Sequence, residues 1–419
     1  MKITKKKIFF FITTILIISI FLINLKNNYY LRQNILKIFP DKYAVILKIV
    51  FGDQKYVLQN LNDYGTKFLP ETQFINLNFH KIKIKNTIGK IAGYKKDLKS
   101  KRFSFYINVF SDKIILASKN KLLYLDIDKL YQKEIFAEVF IDNLIEDIDI
   151  KDTIINDNEI YISYTKINKK KNCSNLILSK AIINFKELEF NEIIQFDECA
   201  NNIQAGKIEI LDKNKILITT AGDILALKEF DPKPQDDNSI FGKIILIDEV
   251  KKSYEIFSKG HRNALGLLYD KKNNIILSTE NGPRGGDEIN LIKFGKNYGW
   301  DIASYGETYY SRIKKYKKNH KDYGFEEPIY SFIPSIGISE IISLDNNFSE
   351  QWINNYLIAS LNSNHLYRIK IGEQKNNLIY LEKIYIGERI RDIYYLKSQK
   401  IILLALENSG SIGILSSKN

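Results

Sequence analysis

Residues 113–118 read KIILAS, and strings of the same kind return five times, as EIYISY at 159–164, KILITT at 215–220, NIILST at 274–279, NYLIAS at 355–360 and KIILLA at 400–405. Each is a short apolar or β-branched run that ends in small or polar residues. Each follows a polar turn, such as Ser111-Asp112, Asn156-Asp157-Asn158 or Lys271-Lys272-Asn273-Asn274. The copies start 46, 56, 59, 81 and 45 residues apart. Further strand-like runs lie between them, including NLILSKAII from Asn175, GKIILID from Gly242, HLYRIKI from His365 and RDIYYL from Arg391. Several short strands per unit, repeated six times, predict an all-β chain folded as a six-bladed β-propeller of four-stranded blades. Radial stacking covers both faces of a blade, which suits runs that are apolar throughout rather than alternating. A β-sandwich is the competing fold, but six such units overfill one. Equivalent loops of successive blades emerge on one face. Gly222-Asp223 after the third copy and Glu280-Asn281-Gly282-Pro283 after the fourth are therefore expected around a single central mouth.

The N-terminus is different in kind. Residues 8–25 read IFFFITTILIISIFLINL, an uncharged stretch of 18 preceded by Lys2, Lys5, Lys6 and Lys7. That length suits one transmembrane helix, and the leading lysines favour a cytoplasmic N-terminus. No small-residue cleavage site follows, so residues 1–30 read as an uncleaved membrane anchor. Residues 31–65, interrupted by Pro40, read as a stalk without assigned structure, and residues 66–419 as the propeller. The propeller is then expected on the periplasmic, extracytoplasmic side.

The formal net charge of +13 comes from lysines dispersed along the chain, with clusters at 5–7, 169–171 and 314–318. No aromatic stacking module accompanies them, so they read as solvated surface and not as a nucleic-acid interface. The two cysteines, Cys173 and Cys199, form no metal-binding spacing. They are either a disulfide, if the domain is exported, or two buried thiols.

Residues 260–309 read GHRNALGLLYDKKNNIILSTENGPRGGDEINLIKFGKNYGWDIASYGETY, with glycine, acids and aromatics gathered at loop positions. The run Gly282-Pro283-Arg284-Gly285-Gly286 cannot be a strand interior. Either its carbonyls suit a hard cation, with Asp287 and Glu288 adding carboxylates, or the run is a tight turn with capping acids. The elements Gly260-His261-Arg262-Asn263, Gly266, Glu280-x-Gly282-Pro283, Gly286-Asp287-Glu288-x-Asn290, Asn297-Tyr298-Gly299-Trp300 and Ser304-Tyr305-Gly306 resemble the signature of the glucose/sorbosone dehydrogenases that use pyrroloquinoline quinone (PQQ). A weaker resemblance runs from Phe105 to Leu415 through Gln235-Asp236, Gly242-Lys243-Ile244 and Arg389-Ile390-Arg391-Asp392.

The resemblance implies a quinoprotein oxidoreductase that oxidises an aldose or related alcohol with PQQ and calcium at the propeller mouth. Arg262 and Asn263 would face the cofactor, with Arg262 stabilising negative charge on it. Arg389 and Arg391 would pair with its carboxylates, and the carbonyls of Gly282 and Pro283 would bind calcium. The anchor, and not the resemblance, would place the protein near a membrane quinone or a cytochrome, the candidate electron acceptors. Two departures stand against activity. The stretch 201–207, NNIQAGK, holds no histidine where the family places its base, and Asn362 stands where a cofactor-holding lysine is expected. The four histidines, His80, His261, His320 and His365, all lie elsewhere and read as structural. Asp223 is the candidate substitute base. The alternative is a catalytically degenerate propeller serving as an extracytoplasmic ligand- or protein-binding module.

Overall fold

The computed structural model describes residues 77–85, 102–141, 148–221, 233–307 and 316–417. The proposed anchor and stalk lie outside the described residues, as do Gly222 and Asp223. Among the described residues no helix is long and apolar enough to cross a membrane.

The strands form six antiparallel sheets arranged as blades. Blade 1 is Tyr106–Phe110, Lys113–Ser118, Lys121–Asp126 and Glu138–Ile141. Blade 2 is Ile148–Asn156, Glu159–Asn168, Cys173–Ile182 and Asn191–Ala200. Blade 3 is Gln204–Asp212, Lys215–Ala221, Lys243–Asp248 and Ser253–Lys259. Blade 4 is Ala264–Asp270, Ile275–Glu280, Asp287–Ile292 and Tyr330–Phe332. Blade 5 is Ile338–Ser343, Tyr356–Ser360, His365–Ile371 and Leu378–Tyr385. Blade 6 takes Ile390–Leu396, Ile401–Leu406 and Ser411–Ser417 from the C-terminal end, and its outer strand, Leu77–Ile84, from the start of the described chain. That last pairing closes the ring. Short parallel additions, Glu134–Ile135 on blade 6 and Lys296–Asn297 on blade 3, widen two blades to five strands.

All six repeated strings are the second strand of a blade. Their burial explains why the repeat was visible. Ile275–Glu280, Tyr356–Ser360 and Ile401–Leu406 are buried at every position, because neighbouring blades cover both faces. The apolar side chains fall into six clusters, one at each interface between adjacent blades, such as Ile82, Ile107, Leu123 and Leu403 between blades 6 and 1. Carboxylates tie neighbouring blades together at the start of a first strand. Asp152 accepts from Ile208 N at 2.8 Å, Asp287 from Ile338 N at 2.9 Å and Asp392 from Ile107 N at 2.7 Å.

Strand register fixes the two ends of the ring. In blade 4 Ala264 pairs with Glu280, and in blade 6 Ile390 pairs with Leu406, so Arg262, Asn281, Arg389 and Glu407 share one end, the mouth. The turns Lys271-Lys272-Asn273-Asn274 and Lys397-Ser398-Gln399-Lys400 lie at the opposite end.

Cys173 and Cys199 are disulfide-bonded, with Cα atoms 5.7 Å apart, across the third and fourth strands of blade 2. The two-thiol alternative is thereby removed. Closing a loop of 26 residues is worth about 3 kcal/mol through the unfolded chain. Cys173→Ser/Cys199→Ser is expected to lose about that much stability, read by denaturant unfolding, while the reduced wild type falls to the same value.

Candidate active site

Blade 4 builds the centre of the mouth. Arg262 ends the connection from blade 3 and is 4% exposed. Its backbone N–H donates to the Glu280 carboxylate, which also meets His261 Nδ1 at 3.1 Å. Its guanidinium Nη1 donates to the carbonyls of Asn281 at 2.6 Å and Gly282 at 2.8 Å. The guanidinium lies over the Trp300 ring, 5.3 Å from its centroid. Arg262 Nε and the neighbouring Asn263 Oδ1 are buried and have no hydrogen-bond partner among the described residues. A buried donor without a partner is costly, so this one is set for something not supplied by the fold. A small cavity beside it is lined by Arg262, Gly282, Pro283, Trp300, Glu288 and His320.

The Gly-Pro turn is shaped by close backbone approach. A Cβ on Gly282 would lie 2.0 Å from Gly286 O, and Gly286, at φ +71°, packs against Gly306 N. Asp287 fastens this turn: Oδ1 accepts from Gly282 N at 2.9 Å and Ser335 Oγ at 2.8 Å. Asp287 is therefore committed to backbone and hydroxyl, and does not add a carboxylate to a cation site as expected. Glu288 is buried in the cavity wall, where burial and then the Glu280 charge push its carboxyl well above the ordinary range. The Gln235-Asp236 element has a structural task, since Gln235 Nε2 holds Trp300 O at 2.5 Å and its Oε1 takes Asn297 Nδ2 at 2.7 Å.

The second group is on blade 6. Glu407, 0% exposed at its side chain, receives Arg389 Nε on Oε2 at 2.9 Å and Arg391 Nε and Nη2 on Oε1 at 2.6 Å. Burial works to raise the Glu407 pKa, but the two arginine charges prevail and hold it below the ordinary carboxylate range. Arg389 Nη1 also reaches Leu361 O at 3.0 Å and Asn362 Oδ1 at 2.7 Å. The two arginines are thus oriented by Glu407, and Asn362, the residue at the missing-lysine position, supports one of them. Along the rim a chain of bonds connects the groups: Arg262 to Asn281 O, Asn281 Nδ2 to Ile338 O, Leu361 N to Gly337 O, and Leu361 O to Arg389. Arg262, Asn263, Gly282, Pro283, Arg389 and Arg391 therefore share one rim. Asp223 lies outside the described residues.

The stretch 201–207 enters blade 3, and Lys207 points into the central channel. Its ammonium pairs with Asp152 of blade 2 at 2.9 Å and with Glu340 of blade 5, and lies 3.9 Å from Asp392 of blade 6. Burial opposes the Lys207 charge, but the three carboxylates prevail and raise its pKa well above the ordinary value. Burial pushes Asp152 up to about 6, and raises Glu340 and Asp392. Nothing in the sequence pattern marked this hub.

The histidines divide as follows. His261 is buried, stacked on Tyr298 with centroids 4.7 Å apart, and bonded to Ser258 and Glu280, the structural role expected of it. His365 sits at a strand start against Ser363 O. His320 is also structural: it is buried, stacks on Tyr305 at 5.3 Å, and lies 3.6 Å from Glu288. Lys318, expected in solvent, is instead largely buried and donates to Gly306 O at 2.6 Å. The tip at 169–171 is exposed as expected.

Among proteins of known sequence, the chain is similar to the aldose sugar dehydrogenase YliI of Escherichia coli, 28% identical over 213 residues, 46% of this chain and 57% of that protein. It is also similar to the quinoprotein glucose dehydrogenase B of Acinetobacter calcoaceticus, 38% identical over 88 residues, 21% of this chain and 16% of that protein. An uncharacterized protein of Synechocystis, slr1608, matches at 29% identity over 42% of each chain. These alignments span at most 57% of the relatives' own lengths. Solved structures share the fold. The apo soluble aldose sugar dehydrogenase of Escherichia coli superposes with a TM-score of 0.65 at 16% identity, covering 82% of this chain and 100% of that one. The PQQ-bound aldose sugar dehydrogenase of Streptomyces coelicolor gives 0.58 at 16% identity, covering 82% and 99%. The family model for glucose/sorbosone dehydrogenase matches residues 143–414, from blade 2 through blade 6 and across every mouth residue described above, and the chain belongs to that family.

Proposed function

We propose that this chain is a membrane-anchored quinoprotein dehydrogenase that binds PQQ at the propeller mouth and oxidises an aldose or related alcohol on the extracytoplasmic side. The observation that carries it is Arg262, a buried guanidinium stacked on Trp300 whose Nε has no partner among the described residues. The residues present fit a planar, polyanionic quinone. Arg262 Nε would donate to an oxygen that gains charge, Trp300 offers a flat apolar wall, and Arg389 and Arg391 would hold carboxylates with the N–H groups not spent on Glu407. When bound, the quinone supplies the two-electron acceptor. The protein's task is to fix it and to stabilise negative charge in a site organised beforehand.

Calcium fits less well. Gly282 O already accepts from the Arg262 guanidinium, and two carbonyls are few for an ion that takes six to eight oxygens. Among the described residues no group of three acidic, histidine or cysteine side chains gathers to hold a metal. A calcium ion on Gly282 and Pro283 would draw most of its oxygens from the cofactor and water. For the substrate hydroxyl proton, Asp223 is the proposed acceptor, since Glu280 and Glu407 are committed to other partners. The Cys173–Cys199 disulfide supports an oxidising compartment, and the uncharged stretch 8–25 supports the anchor.

The test is dye-linked oxidation by the full chain in detergent, loaded with PQQ, against a panel of aldoses, with calcium and with chelator. Turnover that needs PQQ supports the reading. PQQ-saturated protein that oxidises none of them favours the degenerate, ligand-binding propeller.

A further inference from the structure

Resting on the anchored reading above, we propose that the end of the propeller opposite the mouth faces the bilayer, and that a groove there seats the phosphate of an anionic phospholipid headgroup. Strand register places the chain's approach. Leu77 pairs with Ser417 and Lys83 with Ser411, and Ser411 pairs with Leu406 at the mouth end. The chain upstream of Leu77 therefore joins the ring at the far end. The mouth stands on the other side of strands of about seven residues, roughly 20 Å away.

On the same far end a groove of about 480 Å³ opens between blades 4, 5 and 6. That volume lies in the range of small-ligand sites. Lys271 and Lys272 come from the turn of blade 4 and Lys397 from the turn of blade 6, and all three are exposed. Lys272 Nζ rests on Asn354 Oδ1 at 2.8 Å, and Lys397 is 3.6 Å from Asp345. Two carboxylates line the groove, and both are engaged by its walls. Asp270 accepts from Tyr356 Oη at 2.6 Å and Asn273 Nδ2 at 2.7 Å, and Asp345 from Tyr395 Oη at 2.8 Å. Three ammonium groups against two carboxylates leave one positive charge, the complement of a phosphodiester. Next to the groove, Lys375 and Lys400 are balanced by Glu350 and Glu373 at this end. Seated in this way, the propeller would present its mouth to the aqueous side, where a soluble sugar arrives.

The experiment is acetylation footprinting of the full chain in nanodiscs of phosphatidylcholine alone or with phosphatidylglycerol. Labelling of Lys271, Lys272 and Lys397 is expected to fall several-fold only with phosphatidylglycerol, with no change at Lys169, Lys170 and Lys171. Charge reversal in Lys271→Glu/Lys397→Glu should restore Lys272 labelling, since each basic residue near an anionic surface is worth about fivefold in binding. Equal labelling in the two disc types overturns the proposal. So does equal protection in detergent by the free headgroup, glycerophosphoglycerol, which would make the groove a site for a soluble phosphodiester. The anchor is judged separately, by whether alkaline carbonate extracts the chain from membranes. If it does, the anchored reading fails, while protection by added phosphatidylglycerol vesicles still decides the groove.

Discussion

Arg262→Ala is expected to weaken PQQ binding by about 100-fold and to lower kcat/KM for sugar oxidation by about 10²–10³-fold, with the fold intact. The side chain does two things at the mouth. Its Nη1 ties together the carbonyls of Asn281 and Gly282, and its Nε stands unpartnered over Trp300. The first is a structural bond that solvent can partly replace, because those carbonyls then face the opened cavity. The second bonds to none of the described residues, so its loss falls on the ligand. Arg262→Lys keeps the charge but loses the fork and the stacked plane, and should fall between wild type and alanine. The checks are absorbance titration of the cofactor and a thermal melt. A variant that binds PQQ as the wild type does would remove Arg262 from the site.

Lys207→Met is expected to cost about 3–5 kcal/mol of stability, the usual effect of removing one partner from a buried ionic group. Lys207 spans the channel from blade 3 to Asp152, Glu340 and Asp392 on blades 2, 5 and 6. Without its ammonium, three buried carboxylates face one another. The loss should depend on pH, and the sign follows from the raised carboxyl pKa values. A carboxyl raised in the folded state keeps its proton while the unfolded chain has released it. Stability therefore falls as pH rises from the unfolded value through the folded one, from 3.8 to about 6 for Asp152. Removing Lys207 raises these values further. The variant should be nearest to wild type near pH 4 and furthest from it above pH 7, measured by denaturant unfolding across that range. A uniform loss at every pH would show that Lys207 acts by packing alone.

The six-bladed ring was legible because the most buried strand of each blade is also the most apolar. Second strands such as Ile401–Leu406 are covered on both faces and carry few polar residues. The closure by Leu77–Ile84 was not legible, because this outer strand alternates: LNFHKIKI buries Ile82 and Ile84 and leaves Asn78 and Phe79 exposed. The mouth turn was legible through glycines, whose spacing reflects backbone contact, as where Gly282 meets Gly286. Longer polar side chains were harder to place, because their partners come from other blades. Glu407, which orients both Arg389 and Arg391, follows an apolar strand and carried no motif. Lys207 lies in the stretch where the family places its base, and only the ring shows that it turns down the channel. His320 stood among lysines in sequence yet lies buried against Tyr305. In each case burial is set by contacts remote in sequence.

The central claim is that the mouth holds PQQ, and the most direct measurement is an absorbance titration of the full chain in detergent with PQQ, with calcium and with chelator. Saturable binding near one equivalent, weakened about 100-fold in Arg262→Ala, is the result expected. No binding at tens of micromolar PQQ under either condition would contradict it, and would leave this family member as a propeller that keeps the scaffold without the cofactor.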